Sequence, residues 1–228
     1  MTPEEPEQEE LRLVLLRHGQ TDANVAKALD TVPPGAPLND TGRAQADTVA
    51  ELLADWPVHA VHASRALRAR QTADPVARAH GLGVSVVDGV HEIFVGELEG
   101  RSDKPARRDF DECYDAWWGG DLSRALPGGE SALDLRARYL PAVERIVEQS
   151  ERAHGPGGAV VLVSHGAAIR LAAAALLGDT AATRYVPNTG RVVLRRDRSA
   201  ESGWALDLWD SGPSLEGDVT AGAAPEAH

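Results

Sequence analysis

Short apolar runs rich in β-branched residues alternate along this chain with stretches of helical periodicity, and few architectures accept that alternation. The runs occupy residues 11–16, 58–63, 84–87 and 159–163, with 192–196 and 204–209 as a closing pair. Helical patterns fall at 41–54, 67–80, 131–149 and 167–177. Such an order predicts an α/β fold, a three-layer α/β/α sandwich around a largely parallel central sheet. The third helix opens on Ser131 with Asp134 three residues later, a capping-box pattern, and repeats apolar side chains at Leu133, Ala137, Leu140, Val143 and Val147. Pro141 removes a backbone donor and clashes one turn back, so a kink or break is expected there.

With 228 residues and 43% hydrophobic content the chain suffices for one well-cored domain, read here as 11–210. The acidic leader 1–10 and the small-residue tail 211–228 lack periodicity and are expected to be mobile. A polar, aromatic-bearing segment at 101–127 interrupts the alternation and reads as an irregular helical insertion, either a lid or wall over a pocket or a surface insertion whose Trp117 and Trp118 only pack on the domain. A net charge of -12 argues against a nucleic-acid surface, which needs a basic stripe. No apolar run approaches the ~18 residues of a membrane span. The acidic opening is also the reverse of a secretory signal, so the cytoplasm is the expected compartment. Lys27 and Lys104 are the only lysines, and with abundant alanine this reads as the codon bias of a GC-rich bacterial genome. Cys113 stands alone, without partners for a disulfide or a zinc site.

Two strand ends carry nearly the same hexapeptide, VLLRHG at 14–19 and VLVSHG at 161–166. Ligands of open α/β sheets bind beyond the carboxyl ends of the strands, so His18 and His165 can face one pocket from different strands. His165 also directly precedes a helix, whose free N–H groups favour an anion. Two histidines with arginines suit phosphoryl transfer, where negative charge spreads over the oxygens and catalysis is mainly positioning and cationic clamping. Arg17 is one candidate fork. The turns after the run at 58–63 offer Arg65, Arg68 and Arg70, of which Arg65 and Arg70 read as solvated helix-face charges and Arg68 is preferred partly on the family resemblance that follows.

At these residues the chain resembles the histidine phosphatase superfamily, which includes the cofactor-dependent phosphoglycerate mutases and many small phosphatases. Arg17-His18-Gly19-Gln20-Thr21 with Asn24 is similar to its opening signature, and 38–46, 64–73, 91–100, 127–131 and 164–166 follow in the family's order. The resemblance implies a phosphoglycerate mutase-like fold and a metal-independent reaction through a phosphohistidine on His18, with no cofactor. Arg17, Arg68 and His165 would hold the phosphoryl oxygens, with Gly19, Gln20, Thr21, Asn24 and Gly166 as further substrate-binding positions. Glu92 would be the general acid and then the base, a role suited to apolar surroundings that Ile93, Phe94 and Val95 could supply. Glu97 and Glu99 are weighed as competitors and read as solvated loop charges.

Ile93, Phe94 and Val95 stand where mutases as a rule carry basic and aromatic side chains, which favours hydrolysis of a small phosphorylated metabolite. Arg107 and Arg108 keep mutase activity as the alternative, and a non-catalytic phospho-ligand binding module ranks third. A homodimer through the closing pair stays open.

Overall fold

The structure is a computed structural model and describes residues 10–179 and 184–210. The expected mobility of the leader and the tail therefore lies outside the described residues, Glu10 apart. In chain order the elements are β1 (Arg12–Arg17), α1 (Asp22–Val25), α2 (Asp40–Leu53), β2 (Val58–Ala63), α3 (Leu67–Ala79), β3 (Val84–Val86), a 3₁₀ turn (Gly96–Leu98), α4 (Lys104–Trp118), α5 (Ala132–His154), β4 (Ala159–Ser164), α6 (Gly166–Leu176), β5 (Arg191–Arg196) and β6 (Trp204–Asp210).

The six strands form one sheet ordered β3-β2-β4-β1-β5-β6. β3, β2, β4 and β1 run parallel, and the closing pair β5 and β6 is antiparallel. Both faces of the central strands are buried, which is why β1 and β4 read as continuous apolar runs. Side chains alternate between two cores with the strand period of two. Leu13, Leu15, Val160 and Leu162 face the layer of α4, α5 and α6, while Val14, Leu16, Val161 and Val163 face α2 and α3. Truncating one of these side chains, as in Leu15→Ala, should cost about 2–5 kcal/mol.

Ser131 and Asp134 form the reciprocal capping box of α5. That helix then runs as one 23-residue element through Pro141, so the break expected there does not occur. Packing of Tyr139, Ala142, Val143 and Ile146 into the core holds the turn on either side of the missing donor. The insertion at 101–127 departs from expectation as well, because its first half is the regular 15-residue α4. Asp103 caps it by accepting from the Ala106 amide, and Ala106, Cys113 and Trp117 form its buried stripe. Among the described residues no helix is long and apolar enough to cross a membrane.

Candidate active site

β1 and β4 are parallel neighbours in a register that pairs Arg17 with Ser164. The next residue on each strand is a histidine, so His18 and His165 leave the sheet side by side, their ring centroids 5.2 Å apart. The His18 amide donates to the Ser164 carbonyl at 3.0 Å, which prolongs the ladder to the histidine itself. Ser64 follows β2 at the same level, its amide on the Val163 carbonyl at 3.0 Å.

His18 is 3% exposed. Its Nδ1 lies 2.7 Å from the Gly19 carbonyl, and its Nε2 receives the Arg68 Nε–H at 3.1 Å. A carbonyl on one nitrogen and a donor on the other assign the proton to Nδ1 and leave the lone pair on Nε2. Burial, then the charges of Arg68 and Arg17, hold the imidazole well below its usual pKa range. The ring is therefore neutral, with the lone pair of Nε2 turned to the Arg68 guanidinium.

Arg68 organises the centre from the first turn of α3, where it is 3% exposed. Besides His18, it donates to the Asp30 carbonyl at 2.8 Å, the Asp30 carboxylate at 3.2 Å and His165 Nδ1 at 3.2 Å. Burial pulls the guanidinium's pKa down, and the charges of Asp30 and Glu92 pull it back up. His165 turns its other nitrogen to the Ser64 hydroxyl at 2.7 Å. Burial and then Arg68 keep this ring neutral too. Both its nitrogens are engaged, so here His165 orients Arg68. Arg17 gives Nη1 to the Tyr185 hydroxyl and the Val186 carbonyl, each at 2.8 Å. Its Nε is buried without a partner among the described residues.

Glu92 corrects one expectation. The N-terminus of α6 was expected to favour a bound anion, but its amides meet the protein's own carboxylate. Glu92 accepts from Ala167 at 3.2 Å and Ala168 at 2.9 Å, and from its neighbour Ile93 at 2.9 Å. Of the expected apolar surround, Ile93 and Val95 line the same cavity as Glu92, whereas Phe94 stacks on His91. Glu99 is no free loop charge, since it binds the backbone and hydroxyl of Thr31 and the amide of Val32. Glu97 is exposed.

Arg17, His18, Asn24, Arg68 and Glu92 line one cavity, walled by Leu29 and by Phe110 of α4. The insertion is thus a pocket wall. Asn24 accepts from Thr21 and Asn188 through its oxygen, which leaves its amide nitrogen as the available donor. Three other candidate positions serve the scaffold. The Gly19 amide donates to Thr72, and a Cβ on Gly19 would stand 2.5 Å from the Gly42 carbonyl, so glycine permits this crossing of β1 and α2. Gln20 is bound to Gln45 and Asn39, and Thr21 caps α1. Gly166 lies against the Arg17 guanidinium, where a Cβ would be 3.2 Å from Nε.

Sequence reasoning missed Asp30, Asn188 and Tyr185. Asn188 donates to the His18 carbonyl at 3.0 Å from a loop rich in turn residues, Pro187, Asn188, Thr189 and Gly190, the one signal that marks it. The Arg107 and Arg108 pair is split, for Arg107 borders a second cavity beside Arg17 and Lys27 while Arg108 pairs with Asp109 and Glu112 on the surface. Among the described residues no group of three or more histidine, cysteine or carboxylate side chains could hold a metal ion.

The family profile described as histidine phosphatase superfamily (branch 1) matches residues 13–211. A glucosyl-3-phosphoglycerate phosphatase of Mycobacterium tuberculosis is 32% identical over 225 residues, covering 91% of this chain and 98% of its own. A metal-independent phosphoserine phosphatase of Arabidopsis thaliana is 30% identical over 207 residues, covering 89% and 82%. The solved structure of a mycobacterial glucosyl-3-phosphoglycerate phosphatase in complex with VO3 superposes with a TM-score of 0.76 at 31% identity, covering 88% of this chain and 99% of that one.

Proposed function

We infer the reaction from one premise: this chain belongs to the histidine phosphatase superfamily. It is a phosphatase of small phosphomonoesters, the activity class of its named relatives. The phosphoryl group passes through His18. Its Nε2 attacks phosphorus as the ester P–O bond breaks, Glu92 gives a proton to the departing alkoxide, and a phosphohistidine remains. Water then attacks that phosphorus with Glu92 as base, His18 departs, and inorganic phosphate leaves.

The observation that carries this reading is the assigned tautomer of His18, whose Nδ1–H donates to the Gly19 carbonyl and whose Nε2 lone pair accepts from Arg68. Arg68 must release that lone pair to an arriving phosphoryl oxygen, so the same fork guards the nucleophile and then clamps the substrate. A phosphate dianion would offset the charge of Arg68, the second cause after burial that holds the His165 pKa down. His165 is assigned to the phosphoryl oxygens together with Arg17, Arg68 and Asn24.

Glucosyl-3-phosphoglycerate and phosphoserine, the substrates for which relatives are named, are the first compounds to assay. The reading includes a small phosphorylated metabolite as partner and the cytoplasm as compartment. It is tested by phosphate release from a panel of phosphomonoesters in EDTA, comparing wild type with His18→Ala. Turnover by wild type alone, with an acid-labile and alkali-stable phosphoenzyme on quenching, supports the scheme. Loss of wild-type activity in EDTA, restored by added metal, refutes it.

A further inference from the structure

One ion pair grips the backbone on both sides of Glu92. Arg138 projects from α5 and turns three of its guanidinium contacts to the loop that carries the acid. Nη1 donates to the Gly89 carbonyl at 2.7 Å and the His91 carbonyl at 2.9 Å, and Nη2 donates to the carbonyl of Glu92 itself at 2.9 Å. Its remaining donors form a bidentate fork with Glu130, both contacts 2.7 Å long. Glu130 in turn accepts the Phe94 amide at 3.0 Å through its side chain and donates its own amide to the Phe94 carbonyl at 2.8 Å. Each side chain is 18% exposed. The grip is close, since a Cβ on Gly89 would meet the Arg138 carbonyl at 2.7 Å.

We propose that Glu130 and Arg138 are the positioning pair of the general acid, fixing the main chain of Glu92 from α5 while α6 holds its carboxylate. The proposal rests on Glu92 being the acid. Three loop carbonyls, those of Gly89, His91 and Glu92, point at one planar cation, so the loop has a single backbone path from Gly89 to Phe94. Neither residue lines the cavity that holds His18 and Glu92. Their effect on catalysis is confined to the place from which Glu92 delivers its proton. Displacing a proton donor by a fraction of an ångström penalises departure of a basic alkoxide and spares a stable aryl oxide.

The test is kcat/KM on a series from 4-nitrophenyl phosphate to alkyl phosphates, for Arg138→Lys and Glu130→Gln. Arg138→Lys keeps the charge and loses the fork. Glu130→Gln is isosteric and keeps an acceptor for Phe94, so the pair does not depend on one variant folding. Both should lose about 10–100-fold on alkyl phosphates and under about 3-fold on the aryl ester, with inhibition by inorganic phosphate unchanged. In a Glu92→Gln background, Arg138→Lys should then cost nothing further on alkyl phosphates. Equal losses on aryl and alkyl esters, no loss in either variant, or an undiminished loss in the Glu92→Gln background overturns the proposal. If Glu92→Gln by itself fails to discriminate leaving groups, the assignment of the acid falls, and the positioning role falls with it.

Discussion

Replacing His18 by glutamine should flatten the acid limb of the stability curve by the contribution of one histidine. Burial and the charges of Arg68 and Arg17 hold its folded-state pKa well below the ordinary histidine range. Unfolding returns the ring to water and to a pKa of about 6.5. Above that value both states are neutral and the group adds no pH dependence. Below it the unfolded chain binds a proton that the folded chain refuses, so stability present at neutral pH is lost as pH falls toward the folded pKa. One such site contributes a slope of about 1.4 kcal/mol per pH unit, and between about pH 7.5 and about pH 5.5 the loss integrates to about 1.3 kcal/mol. His165 is depressed in the same direction, and so, to varying extents, are His59, His62 and His91. They steepen the wild-type curve but largely cancel in the difference between wild type and His18→Gln. Urea unfolding at steps across this range, in phosphate-free buffers so that product binding adds nothing, measures that difference. Parallel curves for wild type and His18→Gln would show that the folded protein accepts a proton on His18 as readily as the unfolded chain, and the neutral nucleophile would be refuted.

Gly19→Ala puts a methyl against the Gly42 carbonyl and should cost about 1–3 kcal/mol in stability. It should also lower kcat, because the same peptide holds the His18 tautomer, and a melting temperature with a kcat measurement checks both. Asp30→Asn removes a carboxylate that competes with phosphate for Arg68, so inorganic phosphate should inhibit more strongly while kcat falls. Weaker phosphate inhibition in that variant would mean that Asp30 aligns Arg68 more than it neutralises it. Tyr185→Phe deletes one exposed hydrogen bond to Arg17 and should change kcat/KM by less than about 5-fold, against a far larger loss for Arg17→Ala.

The sheet was legible because its central strands are buried on both faces and its helices carry their own period. The two histidines were legible because parallel neighbours in register deliver equivalent positions to one place. α4 was read as irregular although Asp103 before Pro105, with Ala106, Phe110, Cys113 and Trp117 at helical spacing, spells a capped amphipathic helix; two adjacent tryptophans and many charges hid the stripe. At Pro141 the break, one of the two outcomes expected, does not occur: local propensity was weighed without the core that holds α5 together. Asp30, Asn188 and the fork of Arg138 escaped because they act through backbone carbonyls and loop side chains, whose meeting depends on tertiary closure and leaves no periodic trace. Glu92 at the tip of α6 belongs with them, since an open helix end shows in a sequence but its occupant does not.

That occupied helix end bears on how the product escapes. A phosphate seated on free main-chain amides is held by groups that cannot retreat, whereas two amides in the first turn of α6, those of Ala167 and Ala168, already hold Glu92 before any substrate arrives. Several side-chain donors around the cavity have a resting partner inside the protein: Arg68 Nη1 on the Asp30 carboxylate, Arg68 Nη2 on His165 Nδ1 and Arg17 Nη1 on the Tyr185 hydroxyl. When phosphate departs, these groups have somewhere to go. The centre resets by exchanging an external oxyanion for internal neighbours, which favours turnover over retention.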